Sequence, residues 1–141
     1  ASLLMQDLGR FAADVLLFYT QEFAFVSLPD AFTTGSSIMP QKRNPDVFEL
    51  VRGRSAVAAS CLSEVLGIVA KLPSGYQRDL QLIKPPLFRG IDLGLATSAI
   101  MTTAIEGVRF PTDRIKLDPS IHAAEEANEL VVRECIPFRE A

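Results

Sequence analysis

Between Pro45 and Pro73 the chain runs without a proline, and its composition there is unusual. The middle reads Ser55-Ala56-Val57-Ala58-Ala59-Ser60-Cys61, with Gly53 and Gly67 nearby. Only Glu64 and Lys71 carry charge between Ser55 and Leu72. Small side chains let neighbouring helices approach closely, and a helix with few charges is one buried nearly all round. A helix over 46–72 would be about 40 Å long at 1.5 Å per residue. A chain of 141 residues cannot cover such a rod alone, so the stretch predicts a helical bundle assembled from several chains.

The flanking residues extend this reading. Asp46 after Pro45 predicts a helix cap, with Glu49 reaching back as in a capping box. Residues 3–27 predict a helix whose stripe is Leu4, Leu8, Phe11, Val15, Phe18 and Glu22, ended by Pro29. A loop over 29–45 follows, long enough to suggest function. Residues 76–84 form a polar connector that Pro85-Pro86 interrupts. A third helix is expected over 87–108, with Leu87, Ile91, Leu95, Ser98 and Thr102 in line. Phe110-Pro111-Thr112-Asp113 marks a boundary, and Pro119 opens a helix over 120–134. No strand-like alternation exceeds four residues. The expected fold is therefore all-α: residues 1–109 as part of a long-helix bundle domain carrying the 29–45 loop, and 110–141 as part of a small helical C-terminal domain.

Composition narrows the function classes. Fourteen basic residues face 17 acidic ones, for a net charge of −3. A nucleic-acid surface needs a basic excess, so none is expected. Cys61 and Cys135 are too few for a disulfide scaffold and are expected to be buried and reduced. They have no histidine near them, and no metal site is expected. His122, the one histidine, is expected to be an ordinary helical residue. No long uncharged apolar run suggests a membrane span. Mean hydropathy is +0.22, high for a lone small domain. The chain opens at Ala1 without an initiator Met, and the expectation is a piece of a larger protein.

The loop holds the chemistry-bearing residues. Gly35 gives backbone freedom, Ser36 and Ser37 give hydroxyls, Lys42 and Arg43 give positive charge, and Asn44 gives an amide. The N-terminus of the long helix lies behind them with its partial positive charge. A loop of this kind can fold over an anion, bring a hydroxyl to it and expel water.

The string Gly35-Ser36-Ser37-Ile38-Met39-Pro40-Gln41-Lys42-Arg43-Asn44-Pro45 resembles the G-S-S-x-M-P-x-K-x-N-P segment of the fumarase/aspartase superfamily at every specified position. Leu28 through Thr34, Gln41, and Asp46 through Gly53 are similar to the argininosuccinate lyase branch. So are Arg10-Phe11-Ala12, Gln21-Glu22-Phe23, Leu72 through Gln81, and Ile136 through Ala141. The resemblance implies β-elimination of argininosuccinate to arginine and fumarate without a cofactor, in a cytoplasmic homotetramer whose active sites are shared between subunits. It implies Ser36 as the catalytic base, with Ser37 beside it as a substrate contact. It implies Lys42 as the cation at the carboxylate beside the departing proton, and Asn44 as a substrate-binding amide. It implies Glu49 as the carboxylate that orients a catalytic histidine, which in the family lies upstream in a Thr-His segment not found in this sequence. An isolated slice is expected to be inactive for that reason.

The same resemblance implies Tyr76, Gln81 and Lys84 as further substrate contacts, a hydroxyl, an amide and a cation suited to carboxylates. Gln77-Arg78 and Leu82-Ile83 depart from the pattern of many relatives. Arg52 and Arg54 read as ion-pair partners, and Phe11, Phe18, Tyr19, Phe23 and Phe25 as packing. Two alternatives are a crystallin-like relative that keeps the fold without the chemistry, and a sister enzyme acting on adenylosuccinate.

Overall fold

The computed structural model describes residues 1–39, 41–116 and 118–140. They form two compact units, 1–111 and 112–141.

The first unit is built on three helices, α1 (Ser2–Tyr19), α2 (Asp46–Val69) and α3 (Lys84–Gly107). The hairpin strands β1 (Thr34–Gly35) and β2 (Arg43–Asn44) pair antiparallel between α1 and α2. The core gathers Ala12 and Val15 of α1, Val26, Phe48 and Val51 of α2, and Met101, Ala104 and Val108 at the end of α3. Leu28, Phe32 and Val47 pack against it from the loop and helix entry. The ends of the 29–45 loop are thus tied to the best-buried part of the unit. Burying Phe48 completely contributes about 1.5–3 kcal/mol.

The helices meet through small residues, and this rotates them away from the faces expected from sequence. In α1 the buried residues are Met5, Gly9, Ala12 and Val15, while Leu4 and Phe11 are exposed. A Cβ on Gly9 would lie 2.7 Å from Ser55 Oγ, so α1 approaches α2 where neither has bulk. In α3 the buried residues are Pro86, Gly90, Gly94, Thr97, Met101 and Ala104. A Cβ on Gly90 would sit 3.4 Å from Cys61 Cβ. The expected line of Leu87, Ile91 and Leu95 faces outward instead. Arg89 ties the same pair of helices, donating to Cys61 Sγ at 3.2 Å and to Glu64 Oε2 at 2.7 Å. These partners, Cys61 before Glu64, hold the guanidinium pKa above its ordinary value.

Several boundaries differ from the sequence reading. The first helix stops at Tyr19 rather than 27. Thr20 turns its hydroxyl back to the Leu17 carbonyl at 2.8 Å, and Ala24 takes a left-handed conformation with φ 51°. The Phe25 and Val26 amides both donate to the Phe18 carbonyl, reversing the chain. The rings of Phe18, Phe23 and Phe25 close over this bend with centroids 5.7–5.8 Å apart. The expected capping box at α2 does not form. Pro45 is the cap residue and Asp46 is already helical, so its carboxylate accepts from the Thr34 hydroxyl instead. Pro85 and Pro86 do not interrupt the connector; they occupy the first turn of α3, where the missing N–H groups have no helical role. A 3-10 segment over Arg78–Ile83 leads into them. Nor is α2 buried all round within one chain. Phe48, Val51, Ala58 and Cys61 are inside, whereas Leu50, Val57, Leu62, Leu66 and Val69 face solvent.

The second unit holds α4 (Ala123–Glu134), entered through 3-10 turns at Thr112–Arg114 and Pro119–His122. Asp118 caps the second turn by accepting from the Ser120 amide at 2.8 Å, and that bond holds its carboxyl below the usual range. His122 faces Glu125 at 3.6 Å. Cys135, expected inside, is exposed and left-handed with φ 53° at the end of α4. Both cysteines are free. Among the described residues no group of histidines, cysteines and carboxylates is placed to hold a metal. No described helix is long and apolar enough to cross a membrane.

Candidate functional site

The base of the 29–45 loop is tied to the helical unit by a turn, a short strand pair and two side-chain links. Its first limb makes a 3-10 turn at Asp30–Phe32, which lays Phe32 and Pro29 against the backbone of Gly107. Thr34 then pairs with Asn44, and Gly35 with Arg43. Two side-chain links brace this hairpin. Arg43 reaches Asp30 at 3.2 Å, and the Thr34 hydroxyl donates to Asp46. Buried Pro45 closes the second limb, and its carbonyl accepts from the Phe48 and Glu49 amides at 3.0 and 3.2 Å.

Residues 36–39, 41 and 42 lie between the two strands. Ser36 is half-buried, and its Oγ accepts from two backbone amides, Ile38 at 3.3 Å and Met39 at 3.2 Å. The Lys42 amide donates to the Met39 carbonyl at 3.0 Å, turning the chain back. Pro40 of the motif lies outside the described residues. Paired N–H donors on a hydroxyl oxygen are a common turn device. They also stabilise negative charge if that oxygen loses its proton.

Beside the tip opens a cleft of about 680 Å³. One wall is the end of α1 and the bend after it, with Tyr19, Gln21 and Glu22; another is the second hairpin limb, with Gln41, Lys42 and Arg43. The floor is the first two turns of α2, which present Glu49 and Arg52. Of the candidate residues, the structure brings Lys42 and Glu49 together here. Ser36, Ser37 and Asn44 sit on the same hairpin but are not among the lining residues. Asn44 is half-buried in the strand pair, and Ser37 is exposed. Sequence reading passed over Arg52 as an ion-pair residue. Among the described residues it makes no ion pair and lines the cleft. Its spacing of three from Glu49 was the available signal, since such residues share a helix face.

The second candidate cluster is elsewhere. Gln81 Nε2 donates to the Tyr76 hydroxyl at 3.1 Å, and Lys84 begins α3 close by in sequence. Gly90 lies against Cys61 and Arg89 reaches Glu64, so the start of α3 lies toward the C-terminal end of α2. The cleft is at the other end. The 24 residues of α2 span about 36 Å. One copy of the chain therefore presents the two clusters at opposite ends of a rod.

The chain is similar to several known proteins. Residues 1–59 match the family model described as "Lyase". The argininosuccinate lyase of Sorangium cellulosum (strain So ce56) is 54% identical over 134 residues, covering 94% of this chain and 31% of that protein. The argininosuccinate lyase of Moorella thermoacetica is 41% identical over 143 residues, covering 100% of the chain and 31% of that protein. Among solved structures, EDDS lyase in complex with formate superposes with a TM-score of 0.80 at 27% identity, over 99% of this chain and 28% of that one. The chain thus spans about 31% of the length of these curated relatives.

Proposed function

We propose that this chain, whose residues 1–59 match a lyase family model, is part of an argininosuccinate lyase that cleaves argininosuccinate to arginine and fumarate in the cytoplasm. The observation that carries the reading is the pair of backbone amides on Ser36 Oγ, set in a hairpin beside a charged cleft. β-Elimination here requires removal of a proton from a carbon next to a carboxylate, and then loss of the C–N bond. A serine hydroxyl is a weak base at neutral pH. Two N–H donors, the positive end of α2 and Lys42 all favour its alkoxide form. Ser36 takes the proton in this reading, and Ser37 contacts the substrate beside it.

Lys42 binds the carboxylate next to the reacting carbon, where charge accumulates as the proton leaves. Asn44 hydrogen-bonds the same molecule. Glu49 orients a catalytic histidine contributed from outside this chain. Tyr76, Gln81 and Lys84 complete a site on another copy, since the length of α2 separates them from the cleft of their own chain. This accounts for the apolar residues that α2 and α3 leave exposed: they pack in the central bundle of a homotetramer. Residues 1–109 belong to that bundle domain and 110–141 to a C-terminal domain.

The test is fumarate release, followed in the ultraviolet, by the full-length protein given argininosuccinate and adenylosuccinate separately. The expected result is turnover of argininosuccinate alone. Turnover of adenylosuccinate alone, or of neither, overturns the reading.

A further inference from the structure

We propose that Arg52 is a substrate-binding residue of the cleft, supplying a second cation that takes a carboxylate of a dicarboxylate ligand. The inference deepens the reading above and rests on it for the identity of the natural ligand. Its basis is the disposition of charge around the cleft. Five charged residues line it: Lys42, Arg43 and Arg52 against Glu22 and Glu49. Arg43 is already engaged by Asp30 at 3.2 Å. Lys42 and Arg52 make no ion pair among the described residues. They therefore stand as the two uncommitted cations of the cleft, one on the hairpin and one on the helix floor.

Position on α2 favours a ligand role over a local pairing. Arg52 follows Glu49 by three residues, so both side chains rise from one helix face. A pair at that spacing is easily made. In this structure both residues line the cleft floor, and no ion pair joins them among the described residues. A guanidinium presents a planar fork that matches a carboxylate with two parallel hydrogen bonds, whereas an ammonium acts as a point charge. Lys42 on a hairpin tip can follow the reacting carboxylate as charge grows there. Arg52 on a rigid helix is suited to fix the carboxylate that does not react, and so to select molecules carrying two.

The experiment measures equilibrium binding of fumarate to the full-length protein, with argininosuccinate turnover recorded in parallel. Arg52→Gln should weaken fumarate binding about 10- to 100-fold, as expected for losing a hydrogen-bonded charge partner. Arg52→Lys should recover part of that loss. In turnover, KM should rise more than kcat falls, because the contact is made in ground and transition states alike. Thermal midpoints of both variants should match the wild type, since Arg52 is exposed. Unchanged fumarate binding in Arg52→Gln overturns the inference, as does a lowered melting temperature with unchanged binding, the mark of a helix ion pair. Wild-type protein that binds no fumarate overturns it too. If fumarate binding depends on Arg52 but argininosuccinate is not cleaved, this inference stands and the functional reading fails.

Discussion

Gly107→Ala is a sharp test of how the serine hairpin is anchored. A Cβ at this position would lie 2.8 Å from Phe32 Cε2, 3.2 Å from Phe32 Cδ2 and 3.0 Å from Pro29 Cγ. All three are below ordinary van der Waals contact, and both neighbours belong to the base of the 29–45 loop. Forcing a methyl group into a packed site typically costs about 1–3 kcal/mol. The substitution also gains helix propensity and unfolded-state entropy, together up to about 1 kcal/mol, and less at the final residue of a helix. The net expectation is a loss of roughly 1–2 kcal/mol. It should appear as a lower denaturation midpoint of the full-length protein. Ser36 lies four residues beyond Phe32, so displacing the ring also displaces the tip. A shift near 1 Å can lower turnover about 100-fold. Phe32→Leu in the same molecule removes the closest ring atoms and should relieve part of the cost, giving a coupling of about 0.5 kcal/mol or more in a double-mutant cycle. A Gly107→Ala protein as stable and as active as wild type would refute the anchoring argument.

Other outcomes follow from the same geometry. Ser36→Ala in the full-length protein should abolish fumarate release while argininosuccinate affinity stays near wild type, measured by calorimetry; retention of most of the rate would remove Ser36 from the base role. Lys42→Met should raise KM and lower kcat together in steady-state assays, because its charge serves binding and the transition state. Leu66→Asp, on the exposed side of α2, should reduce the assembly to smaller species in sedimentation velocity, and an unchanged sedimentation coefficient would contradict the bundle. The Asp118 carboxyl is depressed by its bond from Ser120, so its stabilising effect is present above the ordinary carboxylate range and is lost as pH falls through the depressed value. Amide exchange at Ser120 should therefore accelerate on acidification in the wild type, after correction for intrinsic rates, and Asp118→Asn should flatten that response.

The parts of the fold legible in the sequence are those set by local chemistry. Pro45 and Pro73 bracket α2, and the small polar stretch around Gly35 marks the loop. The faces of the helices were not legible in the same way. Hydrophobic periodicity points to Leu4 and Phe11 in α1 and to Leu87, Ile91 and Leu95 in α3, but the helices touch through Gly9, Ser55, Gly90 and Cys61. Counting large side chains misplaces an interface built on backbone approach. That interface also leaves large apolar side chains of α2 and α3 exposed. The first helix ended early because Thr20 and Ala24 redirect the backbone through a hydroxyl and a left-handed residue, features with little weight in a periodicity reading. For the candidate site, residue types and spacing pointed to the 29–45 loop and to Ser36 within it, but not to the strand pairing of Thr34 with Asn44. They could not reveal that Asp46 bonds Thr34 rather than capping α2, nor that Arg52 is left without an ion pair among the described residues.

The most direct test of the central claim is a crystal structure of the full-length Ser36→Ala protein with argininosuccinate bound. The account predicts Cβ of residue 36 facing the carbon that would lose its proton, Lys42 on the adjoining carboxylate, and Tyr76, Gln81 and Lys84 arriving from another subunit. Substrate seated away from the hairpin, or contacted by both clusters of a single chain, would contradict it.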